Sequence, residues 1–289
     1  MSLLALGLVL SAAFVHATWN LYAKKVGGGA AFLWLFSAFS NCFYAPFAFF
    51  IIIMQQAPLN FTVLLFIAGS GLLHMLYFLL LQRGYAVGDL SLVYPLARGT
   101  GPMLSTLLAI ALFGERPSPL ALTGAFLIIV SVLWFSGGVR LLQAQRLAQS
   151  KLAVVFGLLT GSVIASYTLW DSYAVRTVLI APLLLDWASG LGRTLLLTPL
   201  AWRQWHIVEQ HWQEHRKETL LVALLSSLSY ILVLTALQIS SVSYVAPARE
   251  VSILIAVAMG TRFLKEGEGL RKVGAAVLMI VGIVALTLG

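Results

Sequence analysis

The chain has 289 residues, of which 60% are hydrophobic and only 10% charged, and its formal net charge is +8. Soluble domains contain about 25% charged residues, so this composition excludes an ordinary soluble globular protein. The positive charge does not indicate a nucleic-acid partner, because the basic residues lie in short loops between apolar segments, where membrane proteins carry their topology signals.

Long apolar segments follow one another along the whole chain. A transmembrane helix needs roughly 20 mainly apolar residues, and only helices or closed barrels cross a bilayer. The apolar runs are continuous rather than alternating, which excludes a barrel. The sequence therefore predicts an all-α membrane protein with ten transmembrane helices, at 3–23, 30–53, 61–82, 90–113, 119–138, 152–175, 179–202, 219–238, 243–264 and 270–288.

Polar or turn-forming stretches separate these segments. Residues 203–218 form the longest one, and their tryptophans and charges predict an interfacial helix. The only cysteine, Cys42, cannot form a disulfide within the chain. The first segment lacks a basic start and a small-residue cleavage site, so we interpret it as a retained helix rather than a signal peptide.

The two halves of the chain match each other at a shift of 151 positions. Trp19 falls on Trp170, and Arg98 falls on Arg249. Five predicted helices in each half is an odd number, so the halves would enter the membrane in opposite senses, as inverted repeats of secondary transporters do. The predicted domains are a first five-helix repeat, a linker and a second five-helix repeat, at 1–138, 139–151 and 152–289.

Basic residues outside the predicted helices fall mostly on one side of the membrane. The other side holds only Arg116 and Arg176. Since cytoplasmic loops are enriched in Lys and Arg, this asymmetry predicts a cytoplasmic 139–151 linker and both termini outside. The residues on the predicted cytoplasmic side are Lys24, Lys25, Arg83, Arg140, Arg146, Lys151, Arg203, Arg216, Lys217, Arg262, Lys265, Arg271 and Lys272.

Charged residues inside the predicted helices are the first candidates for a site. A charge at a helix centre costs roughly 2.5–3.5 kcal/mol, so such residues face the protein interior or water. Arg98 and Arg249 occupy matching positions, each shortly after a proline that can break its helix, and their guanidinium groups suit a carboxylate or phosphate. The alternative is that each arginine only pairs with a buried acid. The acids are Asp171, Asp186 and Glu250.

Arg193 and Asp186 lie seven residues apart on one predicted helix. This spacing is too long for a direct pair along the helix. We interpret both as structural residues that bond across to other helices.

The first and sixth predicted helices carry a second group of polar residues. His16 and Asn20 share one helix face, and Tyr167 and Asp171 share the equivalent face. Asp171 could bind an ammonium group or a proton, and His16 could carry a proton or form a plain interhelical hydrogen bond. Trp19 and Trp170 beside them predict cavity walls, with interface anchoring as the alternative. Weaker candidates are His74, Tyr77, Tyr94, Ser226, Ser227, Ser229 and Tyr230.

Other chemistry has little support in the sequence. It contains no nucleophile elbow, zinc-protease motif or phosphate loop, so we predict no enzyme activity and no cofactor. His206, His211 and His215 lack cysteine neighbours and indicate a solvated interfacial helix rather than a metal site. We interpret Glu115 and Glu266 as helix-end ion pairs or interface anchors.

The chain resembles the EamA-type transporters of the drug/metabolite transporter superfamily over its whole length. The resemblance is carried by HATWNLYAKK at 16–25, GDLSLVYPLARGTGPMLSTLLAIALFGE at 88–115 and SSVSYVAPAREVSILIAVAMGTRFLKE at 240–266. It implies alternating-access transport of a small metabolite in a bacterial inner membrane. Related small multidrug resistance proteins carry a glutamate eight residues before a lysine. Here His16 takes that position before Lys24, which argues against their proton–drug exchange.

We therefore predict a secondary transporter for a small zwitterionic or anionic metabolite, with an amino acid as the first choice. Arg98 and Arg249 would receive the carboxylate, Asp171 or Glu250 the amine or a coupling proton, and Trp19, Trp170 and Tyr94 would form apolar walls. Alternatives are a carrier of a phosphorylated or phosphonate metabolite, a membrane-embedded lipid-modifying enzyme, and a scaffold without a cavity. The predicted partners are the substrate, a proton and the bilayer, for a monomer or homodimer.

Overall fold

The structure, a computed structural model, describes residues 1–27, 29–54, 60–87, 90–135, 151–264 and 270–289. The regular elements in these ranges are all helices. In chain order they are α1 (Leu3–Val26), α2 (Ala30–Met54), α3 (Phe61–Val87), α4 (Leu90–Phe113), α5 (Pro119–Phe135), α6 (Lys151–Arg176), α7 (Pro182–Arg203), α8 (Trp205–Glu214), α9 (Arg216–Ile239), α10 (Val242–Ala248), α11 (Val251–Leu264) and α12 (Leu270–Leu288).

Six helices in the described part of the chain are long and apolar enough to cross a membrane, namely α1, α2, α3, α4, α6 and α9. The shorter α5 and α12 are also apolar. Large apolar side chains on the outside include Phe47, Phe50 and Leu195, each more than half exposed. An outer surface of this kind fits a lipid environment and not water. The prediction of an all-helical protein is confirmed for the described residues, and its long apolar helices are consistent with a helical membrane protein.

Several helix boundaries differ from the predicted ones. Helices α1 and α3 continue beyond 23 and 82 to Val26 and Val87. Helix α7 begins at Pro182 instead of 179, because the proline favours the first helical turn. Lys151, the last residue of the predicted linker, is the first residue of α6. The rest of that linker, 139–150, and the end of the fifth segment, 136–138, lie outside the described residues.

The predicted segment 243–264 is two helices, α10 and α11. Pro247 has no N–H group, so the carbonyl of Ser243 loses its usual helical partner. The backbone N–H of Glu250 instead donates to the Pro247 carbonyl at 3.0 Å, and that of Ser252 donates to the Arg249 carbonyl at 3.1 Å. These three-residue bonds form a tight 3₁₀-type turn that carries Arg249 and Glu250. In contrast, α4 remains one helix through Pro95 and Pro102.

Helices from the two halves of the chain pack against each other throughout the fold. The main pairs are α4 with α6, α3 with α6, α1 with α9, α2 with α7 and α5 with α12. Small residues allow some of these pairs to approach closely. Gly124 of α5 and Gly282 of α12 meet backbone to backbone, and Gly161 of α6 packs on Thr100 of α4. The core therefore lies between the halves rather than inside each one.

Candidate functional site

A cavity of about 390 Å³ lies between the helices of the two halves. It extends from Ala23 and Gln82, near the ends of α1 and α3, to Ala12 and Ala13 in the middle of α1. Nine of the twelve residues predicted to bind substrate line this cavity, which brings together residues far apart in the sequence. They are His16, Trp19, Asn20, His74, Tyr77, Tyr94, Arg98, Tyr167 and Arg249.

Arg98 on α4 is neutralised at the cavity wall. Its Nε lies 2.9 Å from Glu250 Oε2, and the two side chains are only 13% and 4% exposed. Its Nη2 donates a hydrogen bond to the Ser252 hydroxyl at 3.1 Å. Glu250 itself lies outside the cavity lining. The pair ties α4 to the turn between α10 and α11, and it leaves Arg98 little free charge for a ligand.

Arg249, the counterpart of Arg98 in the second half, has a different environment. Its guanidinium carbon lies 5.6 Å from the centre of the Tyr230 ring. No carboxylate in the described residues lies within ion-pair distance of it, and it lines the cavity. A partly buried cation held by an aromatic face and open to a cavity is suited to an anionic ligand.

The His16 group on α1 forms one cavity wall. The His16 and Trp19 rings meet edge to face with centroids 5.1 Å apart. Asn20 donates its side-chain N–H to the His16 carbonyl at 2.8 Å, so its amide is turned towards its own helix. Trp19 Nε1 is buried without a partner among the described residues. This wall offers a ligand one indole donor and one imidazole.

Trp170 and Asp171 on α6 lie outside the cavity lining. Trp170 donates its indole N–H to the Phe66 carbonyl at 2.9 Å and packs against Gly69, both on α3. Asp171 is fully buried and accepts a hydrogen bond from the Tyr230 hydroxyl at 2.5 Å. Trp170 thus packs between two helices, whereas Asp171 reaches the cavity only through its neighbours.

Asp186 and Arg193 on α7 belong to the cavity lining, although the sequence predicts only a structural role for them. Both line the cavity, and Asp186 Oδ2 and Arg193 Nε are buried without hydrogen-bond partners among the described residues. Their seven-residue spacing puts them on one helix face, which was the available signal. The second-half residues Ser226, Ser227, Ser229 and Tyr230, weaker candidates from sequence, line the cavity as well.

Glu115, just beyond the C-terminal end of α4, joins the two halves of the chain through several contacts. Its Oε1 accepts the backbone N–H of Val242 at 2.8 Å, and its Oε2 accepts that of Ser243 at 2.9 Å. Arg176 lies 3.5 Å from Oε1. Glu115 therefore caps α10 across the two halves, which agrees with its interpretation as a helix-end ion pair. Glu266 lies outside the described residues.

The described residues contain no group of three or more His, Cys, Asp or Glu side chains arranged to hold a metal ion. On the outer helix α8, His211 packs near Phe32, with ring centroids 5.7 Å apart. Partial burial, together with the neighbouring His215, lowers the pKa of His211. This keeps the imidazole neutral near pH 7 and fits an interfacial packing role.

Residues 151–288 match the EamA-like transporter family. The second half of the chain is therefore an EamA-like domain. The family is part of the drug/metabolite transporter superfamily, whose members are integral membrane transporters rather than enzymes. The predicted family is therefore confirmed, and with it a small-molecule substrate and a bilayer environment.

A solved structure described only as "Crystal structure of protein" superimposes with a TM-score of 0.72. The match covers 98% of this chain and 96% of that chain at 14% sequence identity. At this identity the likeness shows a shared fold alone. No curated protein matches the chain.

Proposed function

We propose that this EamA protein is an alternating-access transporter of a small zwitterionic or anionic metabolite, with an amino acid as the first choice. The observation that carries the proposal is Arg249, a guanidinium group open to the cavity and without an acidic partner among the described residues. A cation left unpaired at membrane depth is stabilised when an anion binds to it.

The architecture that we propose is ten transmembrane helices in two inverted repeats, 1–138 and 152–289, joined by the linker 139–151. The helix pairs support it. At a shift of 151 positions, α3 corresponds to α9 and α1 to α6, so the α3–α6 pair and the α1–α9 pair are equivalents. The pairs α2–α7 and α5–α12 each join two equivalent helices. Reciprocal pairs of this kind are expected from two repeats related by a two-fold axis, which inverted repeats have in the membrane plane.

In the proposed orientation, the linker lies in the cytoplasm of a bacterium, the chain crosses its inner membrane, and both termini are outside. The mouth of the cavity at Ala23 and Gln82 adjoins Lys24 and Arg83. Basic residues favour the cytoplasmic side. The cavity would therefore open inward, with the contacts of Glu115 closing the outer end.

For an amino acid, Arg249 would bind the carboxylate and Asp186 the ammonium group. Asp186 is the one carboxylate that lines the described cavity, and Oδ2 lacks a hydrogen-bond partner there. Tyr77 and Tyr94 would contact the apolar part of the ligand. Arg98 would contribute less, because Glu250 already neutralises it. A cavity with unpartnered polar groups also argues against a scaffold without transport.

Transport by purified protein in liposomes tests the proposal. Radiolabelled neutral and acidic amino acids, and phosphate esters of similar size, are offered to wild-type protein, Arg249→Lys and Arg249→Gln. We expect amino-acid uptake that Arg249→Gln reduces at least about tenfold and Arg249→Lys reduces less, since a buried charged hydrogen bond contributes about 1.5–3 kcal/mol. Normal uptake by a folded Arg249→Gln variant would refute the role of the arginine.

The second candidate substrate is a phosphorylated or phosphonate metabolite. The observation in its favour is Arg193, which adds a third guanidinium group to the cavity wall beside Arg98 and Arg249. Two arginines without an ion pair among the described residues suit a dianion better than they suit a single carboxylate. Uptake of phosphate esters that depends on both Arg193 and Arg249, without uptake of amino acids, would favour this candidate. Two fused halves make a monomer sufficient for either substrate, and a homodimer would place one cavity in each chain.

A further inference from the structure

Three side chains from three helices meet behind the cavity wall, namely His74 on α3, Asp171 on α6 and Tyr230 on α9. His74 and Tyr230 also line the cavity, whereas Asp171 is fully buried. We call these residues the His74–Asp171–Tyr230 cluster. The hydrogen bonds of these side chains determine which of their nitrogen and oxygen atoms can carry a proton.

The imidazole of His74 has a fixed tautomer when it is neutral. Its Nδ1 lies 2.9 Å from the Ser70 carbonyl oxygen. Because a carbonyl oxygen only accepts hydrogen bonds, Nδ1 carries the hydrogen and Nε2 presents a lone pair. Nε2 lies 3.9 Å from Asp171 Oδ2. Stacking on the Tyr167 ring, with centroids 4.3 Å apart, supports this orientation.

Asp171 has acceptor positions that its neighbouring donors, the hydroxyl groups of Tyr230 and Ser70, do not fully satisfy. Oδ2 accepts the Tyr230 hydroxyl, and Oδ1 is buried without a hydrogen-bond partner among the described residues. An ionised carboxylate buried in this way is unfavourable. His74 Nε2 and Asp171 Oδ2 face each other, and without a proton both are acceptors. One proton bound to either group removes this unfavourable arrangement. It either neutralises the carboxyl group or makes His74 an imidazolium paired with the carboxylate.

We propose that the His74–Asp171–Tyr230 cluster is a proton-binding site that exchanges its proton with the cavity. A proton from cavity water forms an N–H bond at His74 Nε2 or an O–H bond at Asp171, and the same bond breaks when the proton returns. No other bond changes. His74 provides the route because its ring touches both the cavity and Asp171.

Arg249 connects this proton site to the ligand site, an extension that rests on the proposed function. Its guanidinium lies over the ring of Tyr230, whose hydroxyl binds Asp171. An anion bound to Arg249 cancels a positive charge near the cluster and favours the proton, and by linkage the proton favours the anion. Substrate and proton would then move together. The other ionisable groups around the cluster are Tyr77, Arg98, Tyr167, Asp186 and Arg193.

Infrared spectroscopy of the lipid-reconstituted protein over a pH series tests the proton site without any substrate. We expect a carboxylic-acid or imidazolium band that titrates in the wild type and is absent in Asp171→Asn. The matched control Asp186→Asn, which removes another buried carboxyl group, should keep the band. Arg249→Gln should move its midpoint to higher pH by about one unit, a tenfold change in proton affinity, and Arg249→Lys should not. Thermal unfolding identifies variants that do not fold.

Tyr230→Phe provides a second variant if Asp171→Asn does not fold. Loss of the hydroxyl donor disfavours the ionised carboxylate, so the band midpoint should again move to higher pH. The proposal is overturned if no titrating band depends on Asp171, or if Tyr230→Phe and Arg249→Gln both leave the midpoint unchanged. A titrating band in a protein that moves no metabolite in liposomes would instead refute the proposed function and leave the proton site intact.

Discussion

At the residue scale, the two arginines at equivalent positions have different partners. Arg98 is paired with Glu250 and hydrogen-bonded to Ser252, whereas Arg249 faces the cavity beside Tyr230. Removing one member of a buried ion pair leaves the other charge unsolvated, while replacing both members is tolerated better. The symmetric sequence pattern therefore contains one arginine in a buried ion pair and one that faces the cavity without an acidic partner among the described residues.

This difference predicts unequal effects on stability. Arg98→Gln and Glu250→Gln should each destabilise the protein by about 3–5 kcal/mol, and the double variant should recover part of that loss. Thermal unfolding in one detergent measures all three. Arg249→Gln is the matched control and should stay near the wild-type transition temperature. An additive double variant would mean that the 2.9 Å contact contributes no coupling.

At the scale of elements, the short helix α10 depends on a residue from the other half of the chain. Glu115 satisfies the backbone N–H groups of Val242 and Ser243, which a helix start leaves without intrahelical partners. Gly114 precedes it with a φ of 66°, a left-handed conformation that ends α4 and directs the chain towards α10. The helix cap thus connects two elements more than a hundred residues apart in sequence.

We expect Glu115→Ala to destabilise the protein by about 1–3 kcal/mol, because two buried donors lose their acceptor. Glu115→Gln should be intermediate, since its single amide oxygen replaces only one of the two acceptors. Arg176→Gln is the control. Its side chain is 38% exposed, and a surface ion pair contributes at most about 1 kcal/mol. Equal effects of Glu115→Ala and Arg176→Gln on the unfolding temperature would contradict the capping role.

The contact between α5 and α12 depends on glycine. A Cβ atom at Gly124 would lie 2.5 Å from the Gly282 carbonyl oxygen, which belongs to the backbone and cannot rotate away. Gly124→Ala should therefore force the helices apart and cost about 1–3 kcal/mol in a thermal unfolding assay. Gly7→Ala, where nothing lies within 4 Å, should be neutral or slightly stabilising. A Gly124→Ala variant as stable as wild type would mean that this interface is loosely packed.

At the scale of the whole molecule, the cavity reaches Ala23 and Gln82 near the ends of α1 and α3, and in the proposed transporter the Glu115 contacts close the opposite end of the bundle. An inverted repeat could exchange these two conditions by rocking one half against the other. Ala23 and Gln82 at the mouth, and Arg176 at the far end, are suitable positions for a labelling experiment.

In a Cys42→Ser background, Gln82→Cys should react with a membrane-impermeant maleimide from the cytoplasmic side, and Arg176→Cys from the outside. Right-side-out and inside-out vesicles give the two accessibilities. The basic residues near Gln82 are the physical reason for this orientation. Reaction of Gln82→Cys from the outside only would mean that the proposed topology is inverted. Equal reaction of both variants from the same side would contradict a topology in which α4, α5 and α6 each cross the membrane between the two positions.

The sequence was sufficient to predict the features of this structure that follow from a lipid environment. Continuous apolar segments required helices in lipid, and the motifs around Arg98 and Arg249 identified the family. Most predicted helix positions were right to within a few residues. Pro247 predicted a break in its helix, and the helix is broken there. Pro95 predicted a break in α4 for the same reason, but α4 is continuous, so a proline alone does not decide where a helix ends.

The tertiary structure decided which of the buried charges are paired. Helices in a membrane are apolar on the sides that face lipid and protein alike, so the sequence gives little information about how each helix is rotated. The sequence therefore could not show that Glu250 neutralises Arg98, that Asp186 and Arg193 line the cavity, or that Trp170 packs against α3. Hydropathy along the chain determined that these helices are in the membrane, and packing across the two halves determined which charges remain available to a ligand.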